Sequence, residues 1–184
     1  MANNKVKKIP KPTYIPKKRG VKTSQPVKLP FIFKTEYSWL KTYKGNDFTN
    51  YHKDADDYAK NVTNLVHNFI PAVYRYGEDL FKGRKGTIFD RHSKLMPEDK
   101  MRMVEDIVRE VDGINLEDDV LDSSSIWYLA VPQGIRVVGY YQTSINTFFP
   151  LFVDWHHLIF PNQNYNQADY QKFSYNADVS SKNW

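Results

Sequence analysis

Hydrophobic and polar positions follow a helical period through much of the first part of the chain and a strand period further on. Tyr58, Val62, Leu65, Val66, Phe69, Ile70 and Val73 recur at spacings of three and four, which predicts that Asp47 to Phe81 is helical with one buried stripe. Asp54, Asp56 and Asp57 gather near its start, where the helix dipole favours anions. Pro71 is expected to end or kink this helix near Ile70, leaving a second short helix from Tyr74 to Phe81. The next helix has a clear frame: Pro97 suits its first position, Glu98 and Asp99 its first turn, and Gly113 its stop. Met101, Val104, Ile107, Val108 and Val111 form its inward stripe.

From Ile126 to Pro161 the period changes to two. Ile126 to Val131, Ile135 to Gln142 and Phe148 to Phe160 are rich in β-branched and aromatic residues, the last interrupted by Asp154. Short Pro, Gly and Asn connections make them an antiparallel meander. In its middle strand Arg136 projects from the face opposite to Ile135 and Val137. Phe31 and Phe33 alternate as an added strand before a turn at Lys44-Gly45-Asn46, and Trp39 is placed in or over the core. Asn115 to Ser125, with Glu117, Asp118, Asp119 and Asp122, is expected to be a solvated loop. The fold class is α+β: helices packed on one face of an antiparallel sheet with a C-terminal three-stranded meander.

Charge divides the chain where hydropathy does not. Residues 1–30 hold nine lysines and arginines and no acid, so the formal charge of +5 leaves −4 on the remainder. Pro10, Pro12, Pro16, Pro26 and Pro30 interrupt this arm, which alone is expected to be extended and disordered. The domain proper is assigned to residues 31–163. An aromatic, amide-rich segment, 164–184, carries Tyr165, Tyr170, Phe173, Tyr175 and Trp184 and is expected to pack back on the domain or on a partner. The chain has no cysteine, which excludes disulfides and thiolate metal sites. No apolar run reaches the roughly 20 residues of a membrane span, so a cytoplasmic protein with no membrane contact is expected.

An arm with Lys7, Lys8, Lys11, Lys17, Lys18 and Arg19 suits polyphosphate, which it would bind in a salt-dependent and nearly sequence-blind way. Equally, it serves as a solubilising leader. The Asp154-Trp155-His156-His157 cluster offers an imidazole for proton transfer, with His156 on the Asp154 face of a regular strand; the alternative is a set of turn hydrogen bonds. Arg84, Lys85, Arg91, His92 and Lys94 form a basic neighbourhood ahead of the helix that starts at Pro97. If it folds over the sheet, Arg91 and His92 meet Arg136 in an anion site. Tyr140 offers a ring for base stacking or packs as core. No phosphate loop, nucleophile elbow, paired catalytic carboxylates or zinc motif is found, and no cofactor or metal is expected.

Two resemblances attach to these stretches. The order of strand, helices and meander, with IWYLAVPQGIRVVGYY, is similar to RelE-type toxins; FFPLFVDWHHLIFP with NYNQADYQKF resembles small proteins of phages and mobile elements of Gram-positive bacteria. The toxin resemblance implies a metal-independent endoribonuclease, with Arg136 steadying the phosphate and His156 or His92 as acid or base. The expected function is binding of RNA or a ribonucleoprotein within a host cell. The competing expectation is an inhibitor or adaptor that captures a host protein through the aromatic C-terminal segment and the acidic loop.

Overall fold

The computed structural model describes residues 29–45, 47–83, 92–116, 124–131, 134–162 and 169–181. The arm with its cations, the loop carrying Arg84, Lys85 and Arg91, and the acidic residues Glu117, Asp118, Asp119 and Asp122 lie outside the described residues. Strands β1 (Ile32–Phe33), β2 (Lys44–Gly45) and β3 (Phe48–Thr49) precede helix α1 (Ala55–Asn64), a π-helical turn (Leu65–Phe69) and α2 (Ile70–Phe81). Then come β4 (Lys94–Leu95), α3 (Glu98–Asp112), β5 (Ser124–Ala130), β6 (Arg136–Gln142), β7 (Thr147–Val153) and the short α4 (Ala177–Ser181).

The main sheet has five strands in the order β1-β7-β6-β5-β4, and β2 and β3 form a separate hairpin. The meander β5-β6-β7 is antiparallel, but β1 runs parallel to β7, so the sheet is mixed and not antiparallel throughout. Opposite residues across the strands share a face. Tyr128, Val138 and Tyr140 join α3's Val104, Ile107, Val108 and Val111 in one buried cluster. Leu129, Val137 and Tyr141 join Leu65, Phe69, Val73 and Leu80 of the other helical layer. The expectation of helices on one face is therefore corrected: the sheet is covered on both. The reason is visible in β6, where residues 137–141 are all buried and no polar face remains.

Gly139 is required where it stands. A Cβ there would lie 2.4 Å from Phe148 Cζ and 2.4 Å from the Phe149 carbonyl oxygen, next to a register shift between Val138 and Gly139.

Two helical expectations also change. Asp54 caps α1 by accepting from the Asp57 amide at 2.8 Å, so helix begins at Ala55 and the residues from Asp47 onward first form β3. Helix continues through Pro71 to Phe81 without a break, because the chain widens to a π turn before it: the Ile70 amide bonds the Leu65 carbonyl, five residues back. The extra residue rotates the stripe and leaves Val66 exposed at 49%. α3 stops as expected, with Gly113 in the left-handed region at φ 71°, but Pro97 stands one position earlier than expected, as the extended N-cap before Glu98. No helix among the described residues is long and apolar enough to cross a membrane.

The C-terminal segment lies back on the domain. His52 and Tyr175 exchange backbone hydrogen bonds at 3.1 and 3.0 Å, and Thr42 donates its amide to Asp178 and its hydroxyl to the Asn176 side chain. Phe173 and Ala177 are buried.

Candidate functional site

Where β5 ends, β6 begins, β7 ends and β4 begins, the sheet leaves a cavity of about 600 Å³ lined by His92, Ser93, Lys94, Tyr128, Gly134, Arg136, His157, Phe160 and Asn162. Arg136 opens β6 opposite Ala130, on the α3 face. Its Nη1 donates to the carbonyls of Val131 (2.9 Å) and Ile135 (3.0 Å), which fixes the guanidinium across the turn. Burial lowers its pKa from the ordinary arginine range, and the neighbouring Tyr128 and Asp154 oppose that shift. Among the described residues Arg136 forms no direct ion pair. The buried Asp154 offsets part of the cost of that charge without forming a direct pair with it.

Beneath it, Asp154 is fully buried. Its carboxylate accepts from the amides of Leu158 (2.8 Å) and Ile159 (3.0 Å) and from the Tyr128 hydroxyl (3.2 Å). These bonds curl the chain after β7 into a turn. Burial, and then the charge of Asp154, push the Tyr128 phenol far up, so it stays protonated and donates.

That turn decides which histidine reaches the cavity. His157 adopts φ 58°, a left-handed backbone unusual for a side chain of this size, and its Nε2 lies 2.7 Å from the Gly134 carbonyl. A carbonyl only accepts, so Nε2 carries the proton. Burial, and next among the lowering influences the charge of Arg136, hold the imidazole below its usual range, favouring the neutral ring at neutral pH. The opposite rim is β4, an edge strand paired to β5, and just before it Ser93 both donates to and accepts from the backbone of Ala130. Lys94 Nζ sits 3.6 Å from the centre of the Phe160 ring.

Of the residues singled out from sequence, Arg136 and His92 line this cavity together, while Arg91, the third member of the anion-site reading, lies outside the described residues. His156 does not. Its Nε2 meets the Tyr51 carbonyl at 2.7 Å and its ring packs against Phe173, Tyr170 and His52. The alternation rule that favoured it fails because Trp155 and His156 are a turn and not strand. Tyr140, expected as a stacking platform, is 6% exposed, stacked on Phe149 at 4.6 Å and bonded through its hydroxyl to Tyr37. Its ring face is core. Lys7, Lys8, Lys11, Lys17, Lys18, Arg19, Arg84, Lys85 and Arg91 lie outside the described residues. Sequence reasoning missed Tyr128, Phe160 and Asn162, and read His157 only as a turn residue. Asp154, a carboxylate ending an apolar run before a turn, was the available signal for the last.

The cavity's described lining contains two permanent cations and two imidazoles but no carboxylate, which suits an anion and not a cation. Among the described residues, no group of three or more histidine, aspartate or glutamate side chains converges as metal ligands would.

Comparison with known proteins places the chain. Residues 35–183 match the family described as uncharacterised protein UU032. The chain belongs to the UU032 family. A relative, the UU032 protein of Ureaplasma parvum serovar 3, is 25% identical over 146 residues, covering 75% of this chain and 74% of its own length. No solved structure matches. Membership of the UU032 family, whose matched relative is a bacterial protein, overturns the resemblances to phage and mobile-element proteins and to RelE-type toxins. The local text behind both was short aromatic strand and turn sequence, which many sheets share; the UU032 match spans nearly the whole described domain.

Proposed function

We propose that the protein binds RNA, with backbone phosphate received at the Arg136 cavity and the basic arm adding non-specific contacts. One observation carries the reading: a concave site in which Arg136, Lys94, His92 and His157 converge without a carboxylate in the described lining. Planar, desolvated guanidinium suits phosphate oxygens, and an exposed ammonium on the rim adds a second charge. The nine cations of residues 1–30 supply a sequence-independent term that falls steeply with salt. The aromatic C-terminal segment, which a host-protein adaptor would present outward, has Phe173 buried and Tyr175 bridged to His52, so the adaptor reading has less to draw on.

Fluorescence anisotropy with a labelled single-stranded RNA, across a salt series, tests this. The full chain is expected to bind, and a variant with Lys7, Lys8, Lys11, Lys17, Lys18 and Arg19 changed to glutamine is expected to show a shallower salt dependence. Absence of binding by the full chain at low salt would overturn the reading.

A further inference from the structure

Resting on the RNA reading, we propose that the cavity admits one unpaired nucleotide, so that the protein selects single-stranded over duplex RNA. Shape comes first. A duplex stacks its bases inside and presents phosphates on a convex ridge, whereas Arg136 sits inside a hollow of about 600 Å³, within the range of small-ligand sites. Its guanidinium is anchored to Val131 and Ile135 at the foot of the turn, so it does not swing out to meet a ridge. A nucleotide splayed from its strand brings its base and phosphate into such a hollow together.

The wall chemistry agrees with a nucleotide more than with bare phosphate. Arg136 and Lys94 address the phosphate. Phe160 and Tyr128, packed edge to face at 4.9 Å, give the same cavity an apolar side, which inorganic phosphate has no use for. Asn162 and the His157 imidazole add polar groups to the lining. His157 is held in a strained left-handed conformation and bonded to Gly134, so it is a fixed wall and not a floppy rim. Tyr128 ties that wall to the buried Asp154, which organises the turn through Leu158 and Ile159. The site is thus pre-built, and occupancy does not require the sheet to move.

The same chemistry is offered by a free mononucleotide and by an RNA strand, and the test separates them. Full-length protein is titrated with each of the four nucleoside 5′-monophosphates, with a single-stranded oligonucleotide, and with a duplex containing that oligonucleotide. Nitrogen-15 NMR of the histidine rings and the arginine side chains reads site occupancy, and anisotropy reads affinity. Single-stranded RNA is expected to bind about tenfold or more tighter than duplex at matched salt, and a mononucleotide to shift the His157 and Arg136 resonances. Arg136→Gln and, on the exposed rim, Lys94→Gln are expected to lower single-strand affinity, Arg136→Gln by about tenfold, and Arg136→Gln to leave duplex affinity nearly unchanged. Thermal unfolding of both variants confirms that they are folded, and Lys94→Gln keeps the test informative if Arg136→Gln is not. Equal affinity for single strand and duplex, indifferent to both substitutions, overturns the cavity proposal while RNA binding stands. Binding of neither RNA form overturns the RNA reading itself.

Discussion

Arg136 and Tyr140 lie at opposite ends of β6 on the same face of the sheet. At the Tyr140 end, Phe149 stacks on the ring, Tyr37 meets the hydroxyl, and α3 contributes to the same cluster. At the Arg136 end the same cluster runs on through Tyr128, Leu158 and Ile159, but the chain after β7 curls around a buried carboxylate and leaves a hollow walled by Tyr128 and Phe160. A single strand face is therefore core along most of its length and site at one end. What differs is not the strand but what covers it. The adjacent histidines repeat the lesson at smaller scale. His156 turns into an aromatic cluster and His157 into the cavity, because the backbone between them is a turn in which alternation no longer applies.

Several substitutions break or sharpen that contrast. The largest effect is expected at Asp154. Asp154→Ala leaves two amides and the Tyr128 hydroxyl without their acceptor and removes the buried charge facing Arg136, for a loss of about 4 kcal/mol in denaturant unfolding. Tyr140→Ala at the covered end is expected to cost about 3 kcal/mol, as a buried aromatic truncation, while leaving RNA affinity on the proposed reading unchanged. A matching loss of affinity in a folded Tyr140 variant would erase the distinction between the two ends. Gly139→Ala, between them, is expected to cost about 2 kcal/mol through collision with Phe148 and the Phe149 carbonyl, read as a lower unfolding midpoint.

Acid acts with opposite sign on stability and on the proposed affinity. His52, fully buried, and His157 both have pKa values lowered by burial. Unfolded imidazole takes up its proton near pH 6.5, the folded ones only below that. Between those values the unfolded chain holds more protons, so stability is full above about pH 6.5 and is lost as pH falls through the lowered folded-state values. His52→Gln is expected to flatten this loss in unfolding measured from pH 7.5 to 5. Protonating His157 instead adds charge to the cavity, so nucleotide affinity is expected to rise over the same range as long as the fold persists, and His157→Gln to reduce the rise, His92 being the second imidazole of the same lining. The smallest effect on stability is expected at Arg136→Gln, a loss of about 1 kcal/mol, because removing a desolvated charge offsets most of the two lost carbonyl contacts and the lost attraction to the buried Asp154.

The pattern of residues by itself determined the elements whose signals are local. Strand alternation set the meander and placed Arg136 opposite Val137. Apolar spacing and the Gly113 stop set α3 from Glu98 to Asp112, because caps and stripes depend on neighbours in the chain. It also brought Arg136 and His92 into one hypothesis through charge alone. Tertiary structure decided the rest. β1 joins β7 in parallel through partners more than a hundred residues apart, and β4 is two residues long, too short to show a period. The choice of His157 over His156, and of core over platform for Tyr140, was made by a turn held on Asp154 and by what packs above β6. Such contacts act between residues far apart in sequence, and local periodicity carries no information about them.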